Sequence, residues 1–259
     1  TGTLQLDYVT IRNFYSEIND SGTIGVVAPS IYDYGADKTC GTTTLRNCLI
    51  ERCRARMGTF MFIGNGGSYL SSSMEAEDCR IDITDCTIQD CESYCDENGW
   101  GGAIRCRGGS INNLYLTNTT FTRNYSRGDG PTLWWNAGGR ADSKCVIDGC
   151  SFTYNEAERD AGGLRLEGTF QFSGNKTIVS NNRCNGVNKF AALNRVLGNG
   201  GGIQIYGYAG TADAVGGTLT YRLPECLEVT DNIANGYGGG IAFEFNTDKL
   251  TNGTNIYAD

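Results

Sequence analysis

Histidine is absent from this 259-residue chain, proline occurs three times, and no apolar run reaches the ~18 residues that a membrane-spanning helix needs. Each shortage removes something. Without imidazole there is no Ser-His or Cys-His nucleophile and no histidine-ligated metal. No charged-then-apolar leader opens the chain, so neither a signal peptide nor membrane insertion is read within it. Charged residues make up 19% and leave a net charge of −8, and Lys and Arg are scattered rather than gathered into the basic stripe that nucleic acid requires. Nucleic acid is not an expected partner, and the acidity argues against anionic membranes.

What is abundant is glycine, 37 residues, with many Asn, Asp, Ser and Thr, a composition suited to frequent turns. These residues recur in order. Aligned on a central large apolar residue, Ile11, Ile50, Ile88, Phe121, Phe152, Ile178 and Val229 form one column. Five positions earlier stand Leu6, Leu45, Ile83, Leu116 and Ile147; two positions earlier stand Val9, Cys48, Cys86, Thr119 and Cys150. Three positions later come Phe14, Cys53, Cys91, Asn124, Asn155, Asn181 and Asn232. Most copies then reach a glycine pair and a second apolar alternation: Gly101-Gly-Ala-Ile104, Gly162-Gly-Leu164, Gly201-Gly-Ile203 and Gly239-Gly-Ile241.

Fixed short motifs at irregular intervals are the pattern of a solenoid or other stacked array, whose units cannot bury an apolar face alone. The segments are short and of period 2, as in Leu114-Tyr-Leu116 and Ile203-Gln-Ile205, so they read as strands rather than helices. The expected fold is all-β: a single-stranded right-handed parallel β-helix of about seven coils, the hand following the rule for parallel crossovers. Inward columns make the core, Asn stacked on Asn satisfies a sharp corner, and the glycines permit positive φ or close backbone approach. A solenoid has no single core to divide, so residues 1–259 read as one repetitive domain. No polar cap is recognisable at either end, which implies a piece of a longer protein. Within the long insertion 182–199, Phe190 to Leu197 reads as two helical turns lying on the coil.

Of the twelve cysteines, Cys48, Cys86 and Cys150 share one column and Cys53 and Cys91 another, interchangeable with Val, Thr, Phe or Asn, as stacked buried thiols would be. Disulfides between neighbours are the alternative. Cys91 and Cys95 alone approach zinc-ligand spacing, with no second pair, and the acidic loop Glu92 to Glu97 lacks the order of a calcium loop. No metal or cofactor is expected. Five Asn-x-Ser/Thr triplets, at Asn19, Asn118, Asn124, Asn175 and Asn252, carry no functional weight in a chain of this composition.

Two chemistries compete for the surface. The Gly-Gly strands predict an exposed outward row of Met61, Arg105, Trp134, Arg165 and Gln204, beside a second row of Arg107, Asn136, Glu167, Tyr206 and Glu244. Of these, Arg105, Trp134, Arg165, Gln204 and Tyr206 are the candidate partner-binding face, with Trp134 between arginines able to stack on a sugar or clasp a protein loop. The catalytic alternative is a polysaccharide lyase or glycoside hydrolase, for which the nearest carboxylate pairs are Asp85 with Asp90 and Asp148 with Glu167. Acidic residues on a coil are mostly solvated, and no catalytic residue is assigned.

Phe121-Thr-Arg-Asn124 and Phe152-Thr-Tyr-Asn155, with Gly101-Gly-Ala-Ile104, Gly201-Gly-Ile203 and Gly239-Gly-Ile241, resemble the Phe-x-x-Asn and Gly-Gly-x-Ile repeats of the polymorphic outer-membrane protein group. The resemblance covers most of the chain. It departs in the early copies, where Cys or Phe replaces Asn, and no outer-membrane barrel follows. The Gly-His-Gly motif of polygalacturonases is impossible here, and no arginine motif of the pectate lyase type is found. What the resemblance implies is a non-catalytic adhesin-like or stalk module of an exported microbial surface protein, extracellular, whose partner is a glycan or protein on a host or neighbouring cell.

Overall fold

The computed structural model describes residues 3–15, 24–27, 42–56, 58–64, 79–94, 101–106, 112–136, 144–167, 170–187, 197–207, 219–245 and 254–258. Each copy of the repeat contributes short strands to four wholly parallel sheets, named A to D in the order the chain visits them. Sheet A stacks Thr3–Asp7, Thr42–Arg46, Cys79–Thr84, Asn112–Thr117, Lys144–Asp148 and Gln171–Ser173. Sheet B stacks Thr10–Arg12, Leu49–Glu51, Thr87–Gln89, Thr120–Thr122, Ser151–Thr153, Thr177–Ser180 and Leu227–Thr230. Sheet C is built from two-residue strands, Arg54–Ala55, Glu92–Ser93, Tyr125–Ser126, Glu156–Ala157, Arg183–Cys184 and Ile233–Ala234. Sheet D runs through Ile24–Val27, Met61–Gly64, Ile104–Cys106, Leu133–Asn136, Leu164–Glu167, Ile203–Gly207 and Ile241–Phe245. Among the described residues there is no helix, and the architecture is the expected parallel β-helix. The helical turns read for 190–197 fall, but for Leu197, outside the described residues. A parallel pairing of Leu219–Leu223 with Thr254–Ala258 carries the chain into a further winding that the repeat count had not included.

Successive coils lie in register, which places like side chains over one another at the ~4.8 Å strand spacing. Ile11, Ile50, Ile88, Phe121 and Phe152 pair in sequence across sheet B. The next member is Val179 rather than Ile178, and Val179 leads on to Val229. The corner column shifts with it, taking Asn182 in place of Asn181. Both positions are apolar or Asn doublets, so the sequence permits two registers one residue apart; burial selects between them, because a one-residue slip turns every side chain to the other face. Val179 is fully buried, Ile178 is not, and Asn181 takes the left-handed backbone of the turn. Inside, columns of Ile, Leu, Phe and Cys form one continuous apolar core, with the Phe121 and Phe152 rings stacked at 5.0 Å.

The corners explain which residues interchange. At the A to B corner the N–H of Cys48 donates to Cys86 Sγ (3.4 Å), that of Cys86 to Thr119 Oγ1 (3.5 Å), and that of Cys150 to Thr177 Oγ1 (3.2 Å). At the B to C corner the N–H of Cys91 donates to Asn124 Oδ1, Asn124 to Asn155, Asn155 to Asn182 and Asn182 to Asn232, at 2.9 to 3.1 Å. Cys, Thr and Asn share these columns because each offers a compact acceptor to a buried N–H that has lost its strand partner. One residue before each B to C cap the backbone turns left-handed, at Asn13, Arg52, Asp90, Arg123, Tyr154, Asn181 and Asp231. The glycine pairs answer a separate demand. Gly162 and Gly201 lack positive φ, but a Cβ on either would overlap the carbonyl of the next coil's glycine, Gly201 or Gly239.

Cys48, Cys53, Cys86, Cys91, Cys106, Cys145, Cys150 and Cys184 are buried thiols not joined in disulfides, and Cys226 is a half-buried one. Burial pushes the Cys86 and Cys150 thiols up to about 11, and the Cys91 thiol is raised by its hydrogen bond with Cys53 and by burial. A pKa raised on folding stabilises the fold fully below the unfolded value of 9.0 and progressively less as pH climbs toward 11, because the unfolded chain ionises first. The urea midpoint is therefore expected to fall between pH 8.5 and pH 10.5. The double variant Cys86→Thr/Cys150→Thr, which keeps the corner acceptors, is expected to show a shallower fall; parallel curves would mean that these thiols contribute nothing to alkaline sensitivity.

Candidate functional site

Sheet D aligns most of the predicted outward row. Arg105 pairs with Trp134, Trp134 with Arg165, Arg165 with Gln204 and Gln204 with Ala242; beside them Asn136, Glu167, Tyr206 and Glu244 follow one another. Two expectations are corrected. Met61 pairs with Ile104 and lies in the core, so Phe62 takes the register position beside Arg105. Arg107 lies outside the described residues. The more consequential correction concerns exposure: Arg105 is 4%, Trp134 3%, Arg165 7% and Gln204 0% exposed, and Tyr206 is half-buried.

These side chains leave the backbone outward and then cover one another. The Arg105 guanidinium lies 3.8 Å from the Trp134 ring centroid and the Arg165 guanidinium 4.6 Å from it, a cation–π sandwich built at coil spacing. Tyr206 adds its ring 5.4 Å from Arg165. Glu167 accepts from Trp134 Nε1 (3.1 Å), Asn136 Nδ2 (2.7 Å) and Arg165 Nε (2.6 Å). Asp129, from the preceding C to D corner, accepts from Arg165 Nη1 and lies 3.5 Å from Arg159 Nε. Burial by itself would lower the Arg165 pKa; Glu167 and Asp129 outweigh it and hold the guanidinium above its ordinary range. Below Arg165, Gln204 donates to Glu244 (2.8 Å). The row is a buried, mutually covering network rather than an exposed contact face.

A ladder at the C to D corner escaped the sequence reading. Asp160 N donates to Asp129 Oδ1 (3.3 Å), Gly198 and Asn199 N donate to Asp160 Oδ1 (2.7 and 2.9 Å), and Tyr237 N donates to Asn199 Oδ1 (2.9 Å). Its signal was present as an Asp or Asn immediately before a left-handed residue, in Asp129-Gly130, Asp160-Ala161 and Asn199-Gly200.

The nominated carboxylate pairs are not brought together. Asp85 and Asp90 sit in left-handed turns at opposite ends of the strand Thr87–Gln89, one at the A to B corner and the other at the B to C corner, so they do not stack as a pair. Asp90 holds Arg123 through two bonds of 2.7 and 2.9 Å. Asp148, at the end of its sheet A strand, caps Asn175 N (2.7 Å), while Glu167 belongs to the sheet D network. Among the described residues no group of three or more His, Cys, Asp or Glu is arranged around a metal position; of the loop Glu92 to Glu97, residues 95–97 lie outside them.

The exposed surface is elsewhere. On sheet C, Ala55, Ser93, Ser126 and Ala157 point inward, which turns Arg54, Glu92, Tyr125 and Glu156 outward. The architecture defines the chain as a parallel β-solenoid. Comparison with family models, curated proteins and solved structures found no match, so the class rests on the geometry.

Proposed function

We propose that the chain is a non-catalytic, adhesin-like or stalk module of an exported microbial surface protein, which meets a glycan or protein on a host or neighbouring cell through its outward faces. The observation that carries this reading is the unbroken register of the coils: any contact made by one winding is offered again ~4.8 Å along the axis, so weak contacts add through multivalency. The Phe-x-x-Asn motif supports it in physical terms, since Phe121 and Phe152 occupy the core column and Asn124 and Asn155 the corner ladder. The likeness to polymorphic outer-membrane protein repeats belongs to the same proposal. Because Trp134 is buried, contact is assigned to other faces, and Trp134→Ala would act on stability.

Glycan-array and cell-adhesion measurements on the wild type test the reading, alongside incubation with acidic polysaccharides. Binding to at least one glycan class or cell type is expected, with no new reducing ends and no unsaturated products. Product release would replace this reading with a catalytic one.

A further inference from the structure

Arginines that are scattered along the sequence are gathered by the winding. On the outer face of sheet C, Tyr15 pairs with Arg54, Arg54 with Glu92 and Glu92 with Tyr125, and two residues further along each coil stand Arg56, Tyr94 and Arg127. Among the described residues the outward charges of these coils are Arg54, Arg56 and Arg127 with Glu92, on a chain whose net charge is −8; the next coil turns Glu156 outward and the Tyr125 hydroxyl donates to Glu158, so the basic stretch closes at Arg127. Arg54 is held between two tyrosines, its guanidinium 5.6 Å from the Tyr15 ring and 5.5 Å from the Tyr94 ring. Glu92 is shared between Arg54 (3.3 Å) and Arg127 (3.6 Å), which leaves the pair of guanidiniums half neutralised. These groups face solvent: Tyr15 is 56% exposed, and the Arg54 and Arg127 side chains are 42% and 47% exposed. Arg54 Nε is enclosed and donates to no acceptor, a deficit that an anionic oxygen entering between the rings would fill.

We propose that this strip, built on Tyr15, Arg54, Arg56, Tyr94, Tyr125 and Arg127, binds a linear polyanionic glycan carrying carboxylate or sulfate groups. Charge complementarity selects an anion. The strip's shape selects a chain, because Tyr15 and Tyr125 are three windings apart, about 14 Å at ~4.8 Å per coil, and the groups follow the axis in single file. Guanidiniums supply paired donors for carboxylate or sulfate, and tyrosine rings give an apolar face for pyranose C–H surfaces. Glu92 favours a glycan over a nucleic acid: it accepts hydrogen bonds from sugar hydroxyls and repels a continuous phosphate backbone.

The inference rests on the contact-module reading above, and the experiment separates the two. Wild type, Arg54→Gln/Arg127→Gln and the sheet A control Arg80→Gln are titrated with oligogalacturonate, a sulfated dextran oligosaccharide, neutral dextran and oligo(dT). The wild type is expected to bind one of the two anionic glycans, more weakly as salt rises, and not neutral dextran. The double variant is expected to bind roughly tenfold or more weakly with a shallower salt dependence, and Arg80→Gln to match the wild type. Preference for oligo(dT) would make the strip a nucleic-acid site and overturn the proposal. Unchanged binding by the double variant would overturn the strip and leave the contact module standing. No binding to any glycan, here or on the array, would remove both and leave a spacer.

Discussion

Arg165→Ala is expected to lower the unfolding free energy by about 3–5 kcal/mol, the cost of removing one partner from a buried charge network. Arg165 is the common cation of Asp129 and Glu167, both themselves buried. Its loss strands Glu167 and leaves Asp129 with the more distant Arg159, and it also removes one half of the sandwich around Trp134. Arg165→Met combined with Glu167→Gln is expected to recover part of the loss, since Glu167 is then no longer a stranded charge and Asp129 keeps Arg159 as its cation. Urea denaturation at neutral pH decides: a loss under about 1 kcal/mol for Arg165→Ala, the value typical of solvated ion pairs, would mean that water reaches the carboxylates.

The second large effect lies at the B to C corner. Asn155 accepts from Asn124 N (2.9 Å) and Asn124 Nδ2 (3.1 Å), and donates to the Phe121 carbonyl (3.1 Å) and to Asn182 Oδ1 (2.9 Å). Asn155→Ala leaves a buried N–H and a buried carbonyl without partners, and interrupts the ladder between Asn124 and Asn182. At 1–3 kcal/mol for each unsatisfied group, the expected cost is about 3 kcal/mol or more. Asn155→Cys is expected to cost less, because Cys91 already fills this column two coils away and its thiol donates to the Gln89 carbonyl (3.3 Å). Asn232→Ala is also expected to cost less, since Asn232 is only half-buried. Equal losses at Asn155 and Asn232 would show that the ladder's contribution does not depend on burial.

Much of the fold was legible because its period is carried by residues with few substitutes. Ile50, Ile88, Phe121 and Phe152 hold a constant offset from Cys48, Cys86, Thr119 and Cys150, and each offset maps onto a strand and a corner. Legibility failed where the chemistry offered a doublet. Ile178-Val179 and Asn181-Asn182 fit two registers, which burial separates, and Met61-Phe62 fits two, which the pairing with Ile104 and Arg105 separates. The candidate face failed for another reason. Period-2 alternation correctly gives the direction in which Arg105, Trp134 and Arg165 leave the backbone, but it is silent on whether outward side chains then stack and bury one another. Sheet C was missed because strands as short as Arg54–Ala55 and Glu92–Ser93 carry no detectable alternation.

The corner ladders also have a direction. At the A to B and B to C corners the backbone N–H belongs to the earlier coil and the accepting side chain to the later one, from Cys91 and Asn124 through to Asn182 and Asn232, whereas at the C to D corner the N–H groups of Asp160, Asn199 and Tyr237 donate back to Asp129, Asp160 and Asn199 of the coil before. A winding is thus finished by its successor at two corners and by its predecessor at the third, so each coil is tied to both neighbours. Peeling a coil from either side therefore uncovers N–H groups on the coil left behind, those of the first two corners when the later coil goes and those of the third when the earlier one goes, so the rod resists fraying in both directions.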